Sequence, residues 1–140
     1  MTMRDTDRAL VQAATAVAKL RCRSDRHTVA AAARTTDGRI FSGVNLRHAT
    51  GDVCAEVVAV GAAATQGVTE LETIVVVGDR GREVLPPCGR CRRLLHDHHP
   101  ALRVIVGAAD ALRCVPLAEL AAGSAAPPDQ QPDATPRHAG

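Results

Sequence analysis

The chain has 140 residues, 46% of them hydrophobic, a formal charge of +2, one Phe and no Tyr or Trp. That length suits one domain with its own core, and that apolar share excludes disorder of the whole chain. So few aromatics remove the usual stacking platform for single-stranded nucleic acid, and so small a charge gives no strong steering towards polyanions.

Leu10, Ala14, Val17 and Leu20 recur at helical spacing after a polar start, which predicts a helix over residues 6–22. His27 to Thr35 is rich in Val and Ala; Asp37-Gly38 then makes a tight turn into Arg39 to Asn45, a strand–turn–strand hairpin. Residues 47–53 read as a loop. Cys54 opens an Ala/Val-rich helix that ends near Gly67, and Leu71 to Gly78 is the clearest buried strand. A helix from Cys88 to about His96, a strand over Leu102 to Val106 and a short last helix over Val115 to Ala122 complete the pattern. Residues 1–122 form the predicted domain; 123–140, made largely of Ala, Pro, Gln and Asp, read as a disordered tail with nothing to bury. Strands alternating with helices after a hairpin predict a three-layer α/β/α domain on a mixed sheet.

No apolar run reaches membrane-spanning length, and the polar stretch from Met1 to Asp7 gives no evident secretory signal. The expectation is a cytoplasmic protein without membrane or nucleic-acid partners. Five cysteines in a reducing compartment point to metal more than to disulfides.

Three of those cysteines form two motifs, Cys54-Ala55-Glu56 and Pro87-Cys88-Gly89-Arg90-Cys91. Three thiolates can hold one zinc ion and leave its fourth position open, as catalytic sites do. Glu56, two residues from a ligand, is placed to move a proton. Both motifs fall at predicted helix starts, where free N–H groups and the helix dipole favour the thiolate. Cys88 and Cys91 share one face of a first turn. Cys54 meets them only if the two helix starts lie side by side, as at the ends of adjacent strands. Zinc with three thiolates carries a net negative charge, which opposes ionisation of water. Arg90 and Arg82 are expected to donate to the sulfurs and offset it; the plainer alternative is two solvated arginines. Alone, Cys-x-x-Cys would fit a redox pair or half a structural zinc site. Together, the motifs match the three-Cys zinc deaminase signature. Cys22 and Cys114 stand outside this spacing and read as small apolar side chains. His96, His98 and His99 follow a helix end and read as structural or solvent-facing.

On these motifs, the hairpin Asp37 to Asn45 and the string Leu95 to Pro100, the chain resembles the cytidine deaminase superfamily and, within it, the blasticidin S deaminases. The resemblance runs from about residue 8 to about residue 120. It implies Zn2+ held by Cys54, Cys88 and Cys91, with Glu56 as proton shuttle. It further implies hydrolytic loss of ammonia from C4 of a cytosine nucleoside or nucleoside antibiotic, and a homotetramer with sites near subunit boundaries. The backbone N–H of Ala55 would hold the base carbonyl, and the Pro86 carbonyl would accept from the exocyclic amine.

Substrate-binding candidates are Asn45, Arg47, His27 and Thr28. Members acting on cytidine carry Asn-x-Glu after the hairpin; here the run is Asn45-Leu46-Arg47, which weakens ordinary cytidine recognition and suits an anionic sugar substituent. Arg47 could equally be a solvated loop residue. His27 stands where relatives place an aromatic, and either stacks on the base or serves as a satisfied sheet histidine. Thr28 either bonds the base or is a strand residue. The remaining alternatives are a deaminase of another aminated base or heterocycle, ordinary cytidine or deoxycytidine deamination, and a zinc-stabilised binding module without turnover.

Overall fold

The computed structural model describes residues 3–78 and 83–121. Helix α1 spans Asp5–Arg21, strands β1 Val29–Thr35 and β2 Ile40–Val44, helix α2 Ala55–Thr65 and strand β3 Leu71–Gly78. Strand β4 (Glu83–Leu85), helix α3 (Gly89–His98), strands β5 (Arg103–Val106) and β6 (Arg113–Pro116) and helix α4 (Leu117–Ala121) follow. The strands form one mixed sheet in the order β2-β1-β3-β5-β6, with β4 on the β5 side of β3. Among the described residues, only β3 and β5 pair in parallel. The expected α/β/α layering is present. Helix α1 packs Leu10, Ala14 and Ala18 on the face of Ala30, Ala32, Val75 and Val77. Residues of α2, α3 and α4 cover the opposite face, on Ala31, Ala33, Ile74 and Val76.

Strand β1 shows how packing overrides propensity. Alanine is a poor strand former, yet Ala30 to Ala33 are fully buried between helices on both faces. Short side chains there let α1 and α2 approach the sheet closely. Gly43 of β2 extends this economy of volume. A Cβ at Gly43 would come within 2.7 Å of the Ala59 nitrogen and 2.8 Å of Val58. Glycine thus lets α2, which carries the site at its start, lie directly on the hairpin. Gly43→Val should therefore lower stability by about 1–3 kcal/mol through overpacking, read as a drop in thermal midpoint; an unchanged midpoint would show that α2 does not need this approach.

The end of the chain differs from the expected helix over 115–122. Residues 113–116 are instead strand β6, antiparallel to β5, and α4 begins at Leu117. Cys114 and Val115 are buried, so this apolar pair belongs to a sheet edge that ends on Pro116. Strand β4 was also not legible as a strand, being three residues long and ahead of two prolines. The expected tail at 123–140 lies outside the described residues. No helix of the described residues is long and apolar enough to cross a membrane.

The polar members of the core are few and partnered. His99 accepts the Leu71 N–H on Nδ1 at 3.2 Å, tying the end of α3 to the start of β3. Burial holds its ring below the ordinary histidine range, with His98 adding to the effect. His99 is thus structural, as expected of this histidine run, and His98 is exposed.

At the end of the sheet away from Cys54, Cys88 and Cys91, Arg34 donates to Asp7 at 3.0 Å, to Glu72 at 2.7 Å and to Thr73 at 3.1 Å. The Arg4 N–H donates to the other Asp7 oxygen at 3.0 Å. A cavity of about 320 Å³ beside this cluster is lined by Arg4, Asp7, Glu72, Arg103 and Cys114.

Candidate metal centre and catalytic site

Cys54 is the N-cap of α2 and Cys88 the N-cap of α3, both with extended backbone. Cys91 sits in the first turn of α3 and is buried. The two helix starts converge as the motifs require. Val29 of β1, Val76 of β3 and Leu85 of β4 cluster with Ala55 and Ala59 of α2. Leu85 pairs with Val76, and three residues further on the chain reaches Cys88.

The three sulfurs all lie within 4.8 Å of one another, and no other His, Cys, Asp or Glu group of this kind occurs among the described residues. The Cys54 and Cys88 sulfurs are 3.6 Å apart. Tetrahedral zinc with sulfurs at about 2.3 Å sets neighbouring sulfurs at about 3.8 Å. The donor set and its spacing therefore fit zinc, with a fourth position left to a non-protein ligand.

The electrostatics favour a shared anion. Hydrogen bonds from Cys54 and Cys91 hold the Cys88 thiol well below the ordinary cysteine range; the Cys91 N–H at 3.4 Å and the Arg90 charge assist. The bond to Cys88 pushes Cys54 upwards, and the bonds to Cys54 and Cys88 push Cys91 upwards. Arg90 donates from Nη2 to the Cys54 sulfur at 3.9 Å, a long contact on the side of the expected charge balance. Its expected companion Arg82 lies outside the described residues.

Glu56 occupies the first turn of α2, where an acid suits the helix dipole, and is only 4% exposed. Burial pushes its carboxyl up to about 7, and the Cys88 charge adds to this. A buried carboxyl beside a thiol cluster, able to hold or release a proton, is the arrangement that acid–base work needs. Ala55 is buried in the same turn, where helix N–H groups lack intrahelical acceptors. Pro86 is half-buried ahead of Cys88.

The candidate substrate residues form a second group beside the first. Asn45 Oδ1 accepts the N–H groups of Thr28 at 2.7 Å and Val29 at 2.9 Å, and its Nδ2 donates to Thr28 Oγ1 at 2.9 Å. His27 Nδ1 lies 2.8 Å from the Asn45 carbonyl, so this nitrogen is the donor. Asn45 is thus a clamp between the end of β2 and the start of β1, with both lone pairs of Oδ1 engaged. What it keeps for a substrate is one N–H donor, which residue type alone could not reveal. Thr28 keeps its hydroxyl proton. The Arg47 N–H donates to the Arg26 carbonyl at 3.0 Å, bringing two exposed arginines together on the adjoining loops. Nearby, His48 N–H is held by Asp52 at 2.9 Å. The structure thus gathers Cys54, Glu56, Cys88, Cys91 and Arg90, and separately His27, Thr28, Asn45 and Arg47.

Comparison with known proteins agrees with this geometry. Residues 4–108 match the family model described as the cytidine and deoxycytidylate deaminase zinc-binding region. Blasticidin-S deaminase from Bacillus cereus is 37% identical over 109 residues, covering 71% of this chain and 78% of that protein. The crystal structure of cytidine deaminase from Mycobacterium tuberculosis superposes with a TM-score of 0.67 at 31% identity, over 81% of this chain and 91% of that one. Cytidine deaminase from Mycobacterium leprae gives 0.67 at 29% identity, over 83% and 97%.

Proposed function

Because the chain belongs to the cytidine and deoxycytidylate deaminase zinc-binding family, we propose that it hydrolytically deaminates a cytosine nucleoside or a cytosine nucleoside antibiotic of the blasticidin S type. The observation that carries this reading is the buried Glu56 in the first turn of α2, two residues past Cys54 of a three-sulfur cluster of zinc dimensions.

Cys54, Cys88 and Cys91 would hold the zinc, which when bound supplies the Lewis acid that makes water a nucleophile at neutral pH. The chain's own groups do the rest. Glu56 takes a proton from the attacking water and delivers it to ring N3, which makes C4 electrophilic. It then carries a proton to the departing amine, so that ammonia leaves. The Ala55 N–H orients the base carbonyl, and the Pro86 carbonyl accepts from the exocyclic amine. Arg90 draws charge from Cys54. His27 lies against the base, with Thr28 and the remaining Asn45 N–H as donors towards base and sugar.

Arg47 is the residue that separates substrates within this reading. It stands beside a second exposed arginine and near the clamp, which suits a carboxylate or phosphate on the sugar. Arg47→Ala should raise KM for anionic cytosine nucleosides about tenfold, the worth of one charge-assisted contact, and leave uncharged ones within about twofold. Equal losses on both would remove Arg47 from substrate choice and leave the deaminase reading in place.

The homotetramer belongs to the same proposal. Beyond Glu56, helix α2 carries no charged residue, and it leaves Gly61 and Ala64 exposed with Val57, Val58 and Val60 half-buried. Such a surface suits a second copy of the chain. Light scattering should give a tetramer mass; a monomer at micromolar concentration would contradict it.

A further inference from the structure

We infer that Arg92 is a positioning residue for the metal cluster: it fixes the backbone on both sides of Cys88 and anchors it to the last helix. The inference rests on the reading of Cys88 as a zinc ligand. Arg92 follows Cys91 directly and is only 8% exposed. Its Nε donates to the Pro87 carbonyl at 3.0 Å, and its Nη1 donates to the Leu120 carbonyl at 3.3 Å. Its backbone N–H donates to the Cys88 carbonyl at 2.9 Å. The two carbonyls flanking the Cys88 Cα are therefore both held by one residue.

The segment before Cys88 gives a reason for this. Pro86 and Pro87 have no N–H to donate, so carbonyls are the backbone handles by which the fold can hold these two residues. Cys88 itself has extended backbone, with φ −67° and ψ 160°, and is not yet part of the helical ladder. Rotation about the Cys88 backbone bonds, between the two held carbonyls, would swing the Cys88 sulfur away from Cys54. The Arg92 side chain opposes that rotation. The backbone bond to Cys88 is one that any residue at this helical position makes; the bond to Pro87 needs the side chain.

The far end of the guanidinium explains what α4 contributes. Helix α4 has five residues, so its last carbonyls lack intrahelical partners. Leu117 and Leu120 seat it in the core, at 0% and 6% exposure. A carbonyl fixed by that seating receives Arg92, so the core position of α4 reaches the cluster through one buried side chain. A helix that supplies no ligand thereby supports the centre. Buried cations persist where hydrogen bonds replace water, and planar Arg serves two acceptors in a way that Lys does not.

The test is the rate at which the zinc-loaded 140-residue chain gives up zinc to a chromophoric chelator, with kcat, KM and thermal midpoint for the same samples. Partners that orient metal ligands are worth about 10–100-fold in metal affinity, so Arg92→Lys should release zinc at least about tenfold faster and lose kcat. Leu120→Ala, which loosens α4 and leaves the guanidinium intact, should speed release by a smaller factor; it also serves if Arg92→Lys does not fold. Arg34→Lys is the control, a buried arginine at the other end of the sheet; it should lower the midpoint with zinc release within about twofold of wild type. If the Arg92 and Leu120 variants lose midpoint as Arg34→Lys does but release zinc at the wild-type rate, the role of Arg92 is overturned and the deaminase reading stands. A wild-type chain that takes up no zinc overturns both.

Discussion

Glu56→Gln should reduce kcat for ammonia release by at least about a thousandfold, within the range of a general acid–base group that serves more than one proton transfer. The change keeps the shape of the side chain and removes its ability to exchange protons. Zinc content should stay at the wild-type level, because the three sulfurs are untouched. The fold should also persist. Glu56 is 4% exposed, and a neutral amide is easier to bury there than a carboxylate. Loss of turnover with zinc and thermal midpoint retained would assign the defect to proton transfer. Full activity in Glu56→Gln would overturn the mechanism, and loss of zinc together with activity would make Glu56 a support of the cluster instead.

The second large effect is expected far from the chemistry. Arg34→Met removes the centre of a buried ionic cluster. Asp7 is fully buried and Arg34 is 4% exposed. Breaking such a pair from one side costs about 3–5 kcal/mol, because the remaining charge is stranded. For a domain of this size that is roughly a 10–20 °C fall in thermal midpoint. Burial alone would push the Asp7 carboxyl up, but the Arg4 N–H and the Arg34 guanidinium outweigh it and hold it below its ordinary 3.8. The Arg34 hydrogen bond likewise holds Glu72 below 4.5.

Both groups are carboxylates with lowered folded-state values. Their contribution is therefore complete above their ordinary values and is lost as pH falls through the folded ones. Wild-type stability should decline from about pH 4.5 downwards on this account. Arg34→Met should start lower and decline less steeply over that window. Urea unfolding at stepped pH measures both. Equal slopes would mean that Arg34 does not set these carboxyls, and a change under about 1 kcal/mol at pH 7 would deny the cluster its expected weight.

Much of the site was legible before the fold. Two cysteine motifs at helix starts define the cluster, because metal ligation depends on residue type and short spacing. The buried strand Leu71–Gly78 and the hairpin were equally open to reading, since apolar runs and an Asp-Gly turn are local signals. What was hidden depends on distant partners. Arg92 meets a carbonyl 28 residues away, and Arg34 meets Asp7 27 residues away. Neither arginine stands out from others in its own neighbourhood. Asn45 is the intermediate case. Its motif position was plain, but the engagement of its carbonyl by Thr28 and Val29 follows from the meeting of β2 and β1. Strand β6 was missed for the same reason, since four residues ending in proline become a strand only because β5 lies beside them.

Zinc-dependent deamination is tested most directly by measuring ammonia release from cytidine, deoxycytidine and blasticidin S. The zinc-loaded chain is compared with the same chain after chelation and after zinc is restored. The account predicts one zinc per chain and turnover of at least one of these nucleosides. Activity should be lost on stripping and regained with the metal. A folded, zinc-loaded chain that releases no ammonia from any of them, or a stripped chain that retains full activity, would contradict it.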